Sequence, residues 1–242
     1  AGNDRGFGPP PGTPHWADNP TIIYTTDIRD LDGGEDGYDC LPDRCVAKNI
    51  LTVGAIDDIQ NGYEGPCTIQ MAFFSNWGPA DDGRIKPDIV ANGIDVYSTC
   101  TSSGYCEKTG TSMAAPNVTG SLALLHQHYS NTHGGSLMLA TTLKALVIHT
   151  ADEIGPYDGP DYSSGWGVLN TEKAANVITQ DSTSAQTIQE LTLNNTQIDT
   201  FTLFFDGSQS FIKATIAWND PAGTPVSPQL NPTTSMLVND LD

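Results

Sequence analysis

The run Gly110-Thr111-Ser112-Met113-Ala114-Ala115-Pro116 places a serine hydroxyl where a loop turns into a helix. A serine hydroxyl is a weak nucleophile at its free pKa. It needs a base nearby and hydrogen-bond donors for the oxyanion that develops on an attacked carbonyl. The first turn of a helix supplies part of this, because its backbone N–H groups lack intrahelical partners and sit at the positive end of the dipole. Gly110 permits close backbone approach, and small Ala114 and Ala115 leave room for a substrate and for tight packing. The same residues also read as an ordinary helix start capped by Thr111 or Ser112. The string alone therefore points to acyl transfer without deciding it.

The elements that must position this serine are legible from periodicity. Apolar residues at Val118, Leu122 and Leu125, spaced by four and three, predict a helix over Ser112–Tyr129, with Pro116 near its first turn. Leu139, Leu143, Leu146 and Val147 form one stripe of a second helix over Leu137–His149. Asn49–Ile56 is a compact β-branched run that reads as a buried strand. Ile89–Val90 and Val96–Ser98 are short extended pieces, and Thr21–Thr25 is a strand within an otherwise loop-like stretch rich in Gly, Pro and Asp. From Gln180 to Gln186 the chain is rich in Ser, Thr and Gln, which reads as a linker. Beyond it, Thr187–Leu193, Thr200–Phe205 and Phe211–Trp218 alternate as antiparallel strands of a β-sandwich. The two regions are 1–180 and 186–242.

The 242 residues carry 10 Lys and Arg against 29 Asp and Glu, a formal charge of −19. Such a surface repels nucleic acid and anionic membranes, and no run approaches the ~20 apolar residues that span a bilayer. Of five cysteines, Cys40/Cys45 and Cys100/Cys106 are close pairs and Cys67 is left over. Short-range pairs without metal-ligand spacing read as local disulfides of an oxidising compartment, with buried thiols as the alternative.

Gly110–Pro116 resembles the nucleophile signature of the subtilases, the subtilisin-like serine peptidases. Phe74-Ser75-Asn76-Trp77-Gly78-Pro79 and Gly83-Arg84-Ile85-Lys86-Pro87-Asp88-Ile89-Val90-Ala91 resemble the stretch that precedes it in that family. Gly165-Trp166-Gly167-Val168-Leu169-Asn170 resembles the segment that closes the catalytic domain, and Ala1-Gly2-Asn3 the end of the strand with the oxyanion-hole asparagine. Short motifs gain weight when they occur together and in order. The resemblance implies an α/β fold: an incomplete subtilisin-like, mainly parallel sheet with flanking helices. Ala217–Pro221 and Leu237–Asp242 resemble the jelly-roll domain of some alkaline subtilases, which implies a partial antiparallel β-sandwich after it. It further implies a secreted or extracellular serine endopeptidase acting on proteins or peptides, with no cofactor needed for the chemistry. Ser112 would be the acyl-enzyme nucleophile, Asn3 would donate its side-chain amide to the oxyanion beside the Ser112 N–H, and Thr111 would support that site. For Asn3 the alternative is a plain turn residue.

The departure from the family pattern is large. The catalytic Asp and the His-Gly-Thr-His-like motif of subtilases would precede Asn3, and no histidine here sits in such a motif. His126 lies 14 residues past Ser112 on the same helix, roughly 21 Å away. This implies a fragment inactive alone, with an inactive subtilase-like binding scaffold or a β-type binding module as alternatives. Asp30, Asp32, Glu35, Asp36 and Asp39 gather five carboxylates in ten residues. Hard oxygen ligands on a Gly-rich loop suit structural calcium, and a solvated acidic loop suits them equally. Asn117-Val118-Thr119 and Asn194-Asn195-Thr196 fit the glycosylation pattern, the first on the nucleophile helix, where burial is expected.

Overall fold

The structure is a computed structural model. It describes residues 1–5, 15–18, 22–25, 37–59, 62–101, 103–155, 158–185, 187–202, 212–227 and 233–241. The carboxylates of Asp30, Asp32, Glu35 and Asp36 lie outside these, and among the described residues no group of three or more His, Cys, Asp or Glu could hold a metal. Among them too, no helix is long and apolar enough to cross a membrane.

β-branched and small residues form the centre. Strands β1 (His15–Asp18) and β2 (Ile22–Thr25) pair antiparallel with each other. The expected Asn49–Ile56 strand is realised as β3 (Val53–Ile56), paired in parallel with β4 (Ile89–Asn92) in the register Val53↔Ile89 to Ile56↔Asn92. Single bridges extend this sheet, Val90 to Val168 in parallel, Asp152 to Val168 and Ile56 to Met71 antiparallel. Side chains alternate across a strand. Val53, Ala55, Ile89 and Ala91 accordingly join one buried cluster, while Ile56 and Val90 join a second with Ile154 and Val168. Burial on both faces is what a parallel sheet requires.

The first cluster is closed by three helices. Helix α1 (Thr111–Thr132) packs on β3 and β4 through Ala114, Val118 and Leu125. Pro116 falls inside α1 rather than in its first turn, and its missing N–H leaves the Ser112 carbonyl without an i+4 donor. Helix α2 (Ala140–Thr150) buries Leu146 and Val147, while Leu139 precedes it and is exposed. Helix α3 (Thr171–Gln180) inserts Ala174 and Ile178, its start capped by the Asn170 side chain accepting the Lys173 N–H at 2.9 Å.

Between β4 and α1 lies an antiparallel hairpin, β5 (Val96–Thr99) with β6 (Tyr105–Lys108). Cys100 and Cys106 are bonded at its tip, as their spacing predicts. The predicted Cys40–Cys45 bridge is absent, and Cys67 is also free. Local contacts separate the two sulfurs. The buried Cys40 Sγ faces the carbonyls of Gly37 and Trp77 and accepts the Trp77 N–H at 3.2 Å. Cys45 ends a 3-10 turn, and its carbonyl accepts the Thr52 hydroxyl at 2.6 Å.

The β-sandwich predicted after 186 does not form among the described residues, which carry no strand there. A strand needs a pairing partner and a covered apolar face, yet Leu191, Leu193, Ile212 and Ile216 are exposed. The Ala217–Pro221 motif instead docks on the sheet-and-helix body. Asn49 bonds the Asp220 backbone in both directions at 2.9 Å. The buried Asp220 carboxylate takes Lys48 Nζ and the N–H groups of Val238 and Asn239. Burial pushes that carboxyl up, but these donors outweigh it and hold it at about 2.

Candidate active site

Two glycines fix where α1 begins. The N–H of Gly93, one residue past β4, donates to the Ile56 carbonyl at 3.2 Å, and Gly110 N–H donates to the Gly93 carbonyl at 2.8 Å. A Cβ at Gly93 would stand 2.6 Å from Ala55 Cβ and 2.9 Å from Gly110 O, so no side chain fits there. Gly110 itself has φ 148°, inside the region that disfavours L side chains. The start of α1 is thereby hung from the carboxyl end of the parallel strands. That end is where open α/β sheets hold their sites.

Asn3 meets this start across 108 residues of chain. Its Oδ1 accepts both the Thr111 N–H and the Thr111 hydroxyl at 2.8 Å, and Thr111 Oγ1 accepts the Gly2 N–H at 3.3 Å. With both Thr111 donors on the oxygen, the amide nitrogen is the end of Asn3 left to donate. It is also the atom of Asn3 nearest a Cβ built on Gly110, at 3.2 Å. Ser112 is exposed, and its N–H, second in the helix, has no acceptor among the described residues. An exposed hydroxyl, a free helix-start N–H and a directed amide thus share one corner of the fold. Such a corner can attack a carbonyl and receive the resulting negative charge.

Sequence reading missed one residue that holds this corner together. Asn76, 1% exposed, donates its backbone N–H to the Gly2 carbonyl at 3.1 Å. Its Oδ1 accepts the Asp4 N–H at 2.7 Å and its amide donates to the Cys40 carbonyl at 2.5 Å. Asn76 therefore brackets Asn3 on both sides. The signal was a polar residue inside the Phe74–Pro79 motif. The Ala1 nitrogen donates to the Val53 carbonyl at 2.6 Å, which seats the same run beside β3.

No histidine supplies the base among the described side chains. His128 bonds Thr179 at 2.9 Å, and His133 stacks on Tyr129 and bonds Asp181 at 3.0 Å. His149 bonds Thr215 at 3.0 Å, with its pKa lowered by burial and then by Lys213. His126 is half-buried along α1, and His15 sits on β1. Asn117, predicted to be buried, is exposed on α1, because only every third or fourth residue of that helix faces the sheet.

The model of the Subtilase family matches residues 2–167. The serine protease/ABC transporter B family protein tagA of Dictyostelium discoideum is 28% identical over 236 residues, covering 82% of this chain and 13% of that protein. The C5a peptidase of Streptococcus pyogenes serotype M6 is 33% identical over 141 residues, covering 54% of this chain and 12% of that protein. The minor extracellular protease Vpr of Bacillus subtilis is 33% identical over 147 residues, covering 55% and 18%. Among solved structures, the Clostridium perfringens CspB protease superposes with a TM-score of 0.51 at 25% identity, covering 60% of this chain and 30% of that one. The chain spans less than a fifth of the length of these three sequence relatives.

Proposed function

Because the chain belongs to the subtilase family, we propose that it carries the nucleophile and oxyanion hole of a serine endopeptidase. The observation that carries the reading is the pair of 2.8 Å hydrogen bonds from Thr111 to Asn3 Oδ1. They orient an amide donor from the first residues of the chain at the residue preceding Ser112. A mere turn residue has no need of such a long-range clamp.

In this reading Ser112 Oγ attacks the scissile carbonyl, and the carbonyl oxygen becomes an oxyanion between Asn3 Nδ2 and the Ser112 N–H. The start of α1 adds its partial positive charge. The hydroxyl proton passes to an imidazole held by a carboxylate, as in the Ser-His-Asp arrangement, a base that none of the described histidine side chains provides. The substrates are proteins or peptides and the site of action is extracellular, in line with the extracellular relative Vpr. Residues 1–180 are the catalytic-domain portion, and residues 186–242 belong to a following segment held to it at Asp220.

The test is peptide hydrolysis by a protein carrying this chain together with its catalytic His and Asp. In subtilisin, which works by the same chemistry, loss of the serine or the histidine costs about 2 × 10⁶ in turnover and loss of the oxyanion asparagine about 10²–10³. Ser112→Ala and Asn3→Ala are expected to show losses of those orders. Turnover unchanged in Ser112→Ala refutes the proposal. These residues alone are expected to give no hydrolysis above their Ser112→Ala variant.

A further inference from the structure

Two Asn-x-Thr triplets whose middle residue is not proline occur in the chain, Asn117–Thr119 and Asn194–Thr196, and their backbones differ. Asn194, Asn195, Thr196 and Gln197 are all exposed. They form a tight turn closed by Gln197 N–H to the Asn194 carbonyl at 2.9 Å, with Thr196 at φ 67°. The Asn194 amide donates only to the exposed Gln197 Oε1, at 3.0 Å, a bond that water replaces without cost to any buried group. The Thr196 hydroxyl forms no hydrogen bond among the described residues. Every described residue from 191 to 202 is exposed, so a bulky substituent on Asn194 points into solvent.

The other triplet is exposed at Asn117 but locked. Its Thr119 hydroxyl donates to the Ala115 carbonyl at 2.9 Å, the back-bond typical of Thr inside a helix. Its middle residue, Val118, is 2% exposed and sits in the core between α1 and the sheet. Presenting Asn117 to an enzyme as extended chain requires unwinding α1 and withdrawing Val118. Presenting Asn194 requires opening one surface turn.

We infer that Asn194 is an acceptor for asparagine-linked glycosylation. This rests on the extracellular reading above, to which the Cys100–Cys106 bond adds an oxidising compartment. The co-reactant is an oligosaccharide joined through a diphosphate to a polyisoprenoid lipid. The Asn194 amide nitrogen bonds to the anomeric carbon, the bond from that carbon to the diphosphate oxygen breaks, and the lipid diphosphate leaves with the electron pair. The amide gives up one proton to a base of the transferase, and nothing is oxidised or reduced.

The chain, fused to a cleavable signal sequence, is translated with microsomes, and only the protease-protected fraction is scored. Entry into the lumen is thereby read separately from sugar transfer, and does not depend on where the native protein acts. The protected wild-type chain is expected to run as a slower band that an endoglycosidase collapses. Asn194→Gln and Thr196→Ala should each abolish the shift, and Asn117→Gln should leave it. A protected chain with no shift overturns the inference, as does a shift that survives Asn194→Gln. Two sugars, one lost with each asparagine, keep Asn194 and overturn the exclusion of Asn117.

Discussion

Asp88→Asn should be among the most damaging single changes outside the nucleophile corner. Asp88 is 5% exposed, and its carboxylate takes three donors, the backbone of Thr52 and the side chains of Lys86 and Lys144. Oδ2 takes the Thr52 N–H at 2.6 Å and Lys86 Nζ at 2.5 Å, while Oδ1 takes Lys144 Nζ of α2 at 3.0 Å. At an effective dielectric of 20, charges 3.0 Å apart attract by about 5.5 kcal/mol before desolvation is subtracted. Removing one partner of a buried pair costs about 3–5 kcal/mol, because the other charge is left uncompensated. Here that charge is Lys86, 2% exposed, whose remaining acceptor is the Ile50 carbonyl at 3.3 Å. For a chain of this size the loss corresponds to roughly 6–20 °C in Tm. Lys86→Met should cost less, since Asp88 keeps Lys144 and Thr52.

The pH dependence of Asp88→Asn has a definite sign. Burial lowers the Lys86 pKa below 10.5 and Asp88 opposes this, so the variant lowers it further. Between the folded value and 10.5 the unfolded chain binds more protons, and stability rises with pH. The penalty of Asp88→Asn should therefore be largest near neutral pH and shrink as pH climbs toward 10.5. Urea unfolding followed by tryptophan fluorescence measures all three effects. A cost of Lys86→Met equal to or above that of Asp88→Asn, or a penalty that grows with pH, would refute the reasoning.

Asn76→Ala, in the hydrolytic protein, should lower kcat by about 10²-fold with KM nearly unchanged, the scale of a 1 Å misplacement of a positioned group. An equal change in KM alone would assign Asn76 to substrate binding instead. The His149 pKa is lowered from 6.5 by burial and by Lys213, so the unfolded chain binds the extra proton. Stability should fall as pH drops from 6.5 toward the folded value, and His149→Gln should flatten that part of a Tm-versus-pH profile. Mass spectrometry of unreduced, alkylated protein should find Cys100–Cys106 intact and three alkylated thiols at Cys40, Cys45 and Cys67. A Cys40–Cys45 peptide pair would contradict the separate contacts of those sulfurs.

What the sequence by itself determined was local. A helix from the nucleophile string onward, a buried strand within Asn49–Ile56, an extended piece at Ile89–Val90 and the Cys100–Cys106 pair were all legible. Each depends on residues within a few positions of one another, whose periodicity and spacing carry the signal. The resemblance to subtilases also named Ser112 and Asn3, but gave no reason why Asn3 should be held as it is. Only the tertiary structure put the Asn3 oxygen on Thr111 and wrapped Asn76 around both neighbours of Asn3, contacts spanning 108 and more than 70 residues. It also turned Cys40 toward Trp77 and left the described residues of the alternating segments after 186 without a strand. Alternation states which residues could share a face, and cysteine spacing states which sulfurs could meet. Whether they do depends on partners distant in the chain, because a strand or a bridge is stable only when another segment completes its hydrogen bonds and covers its apolar side.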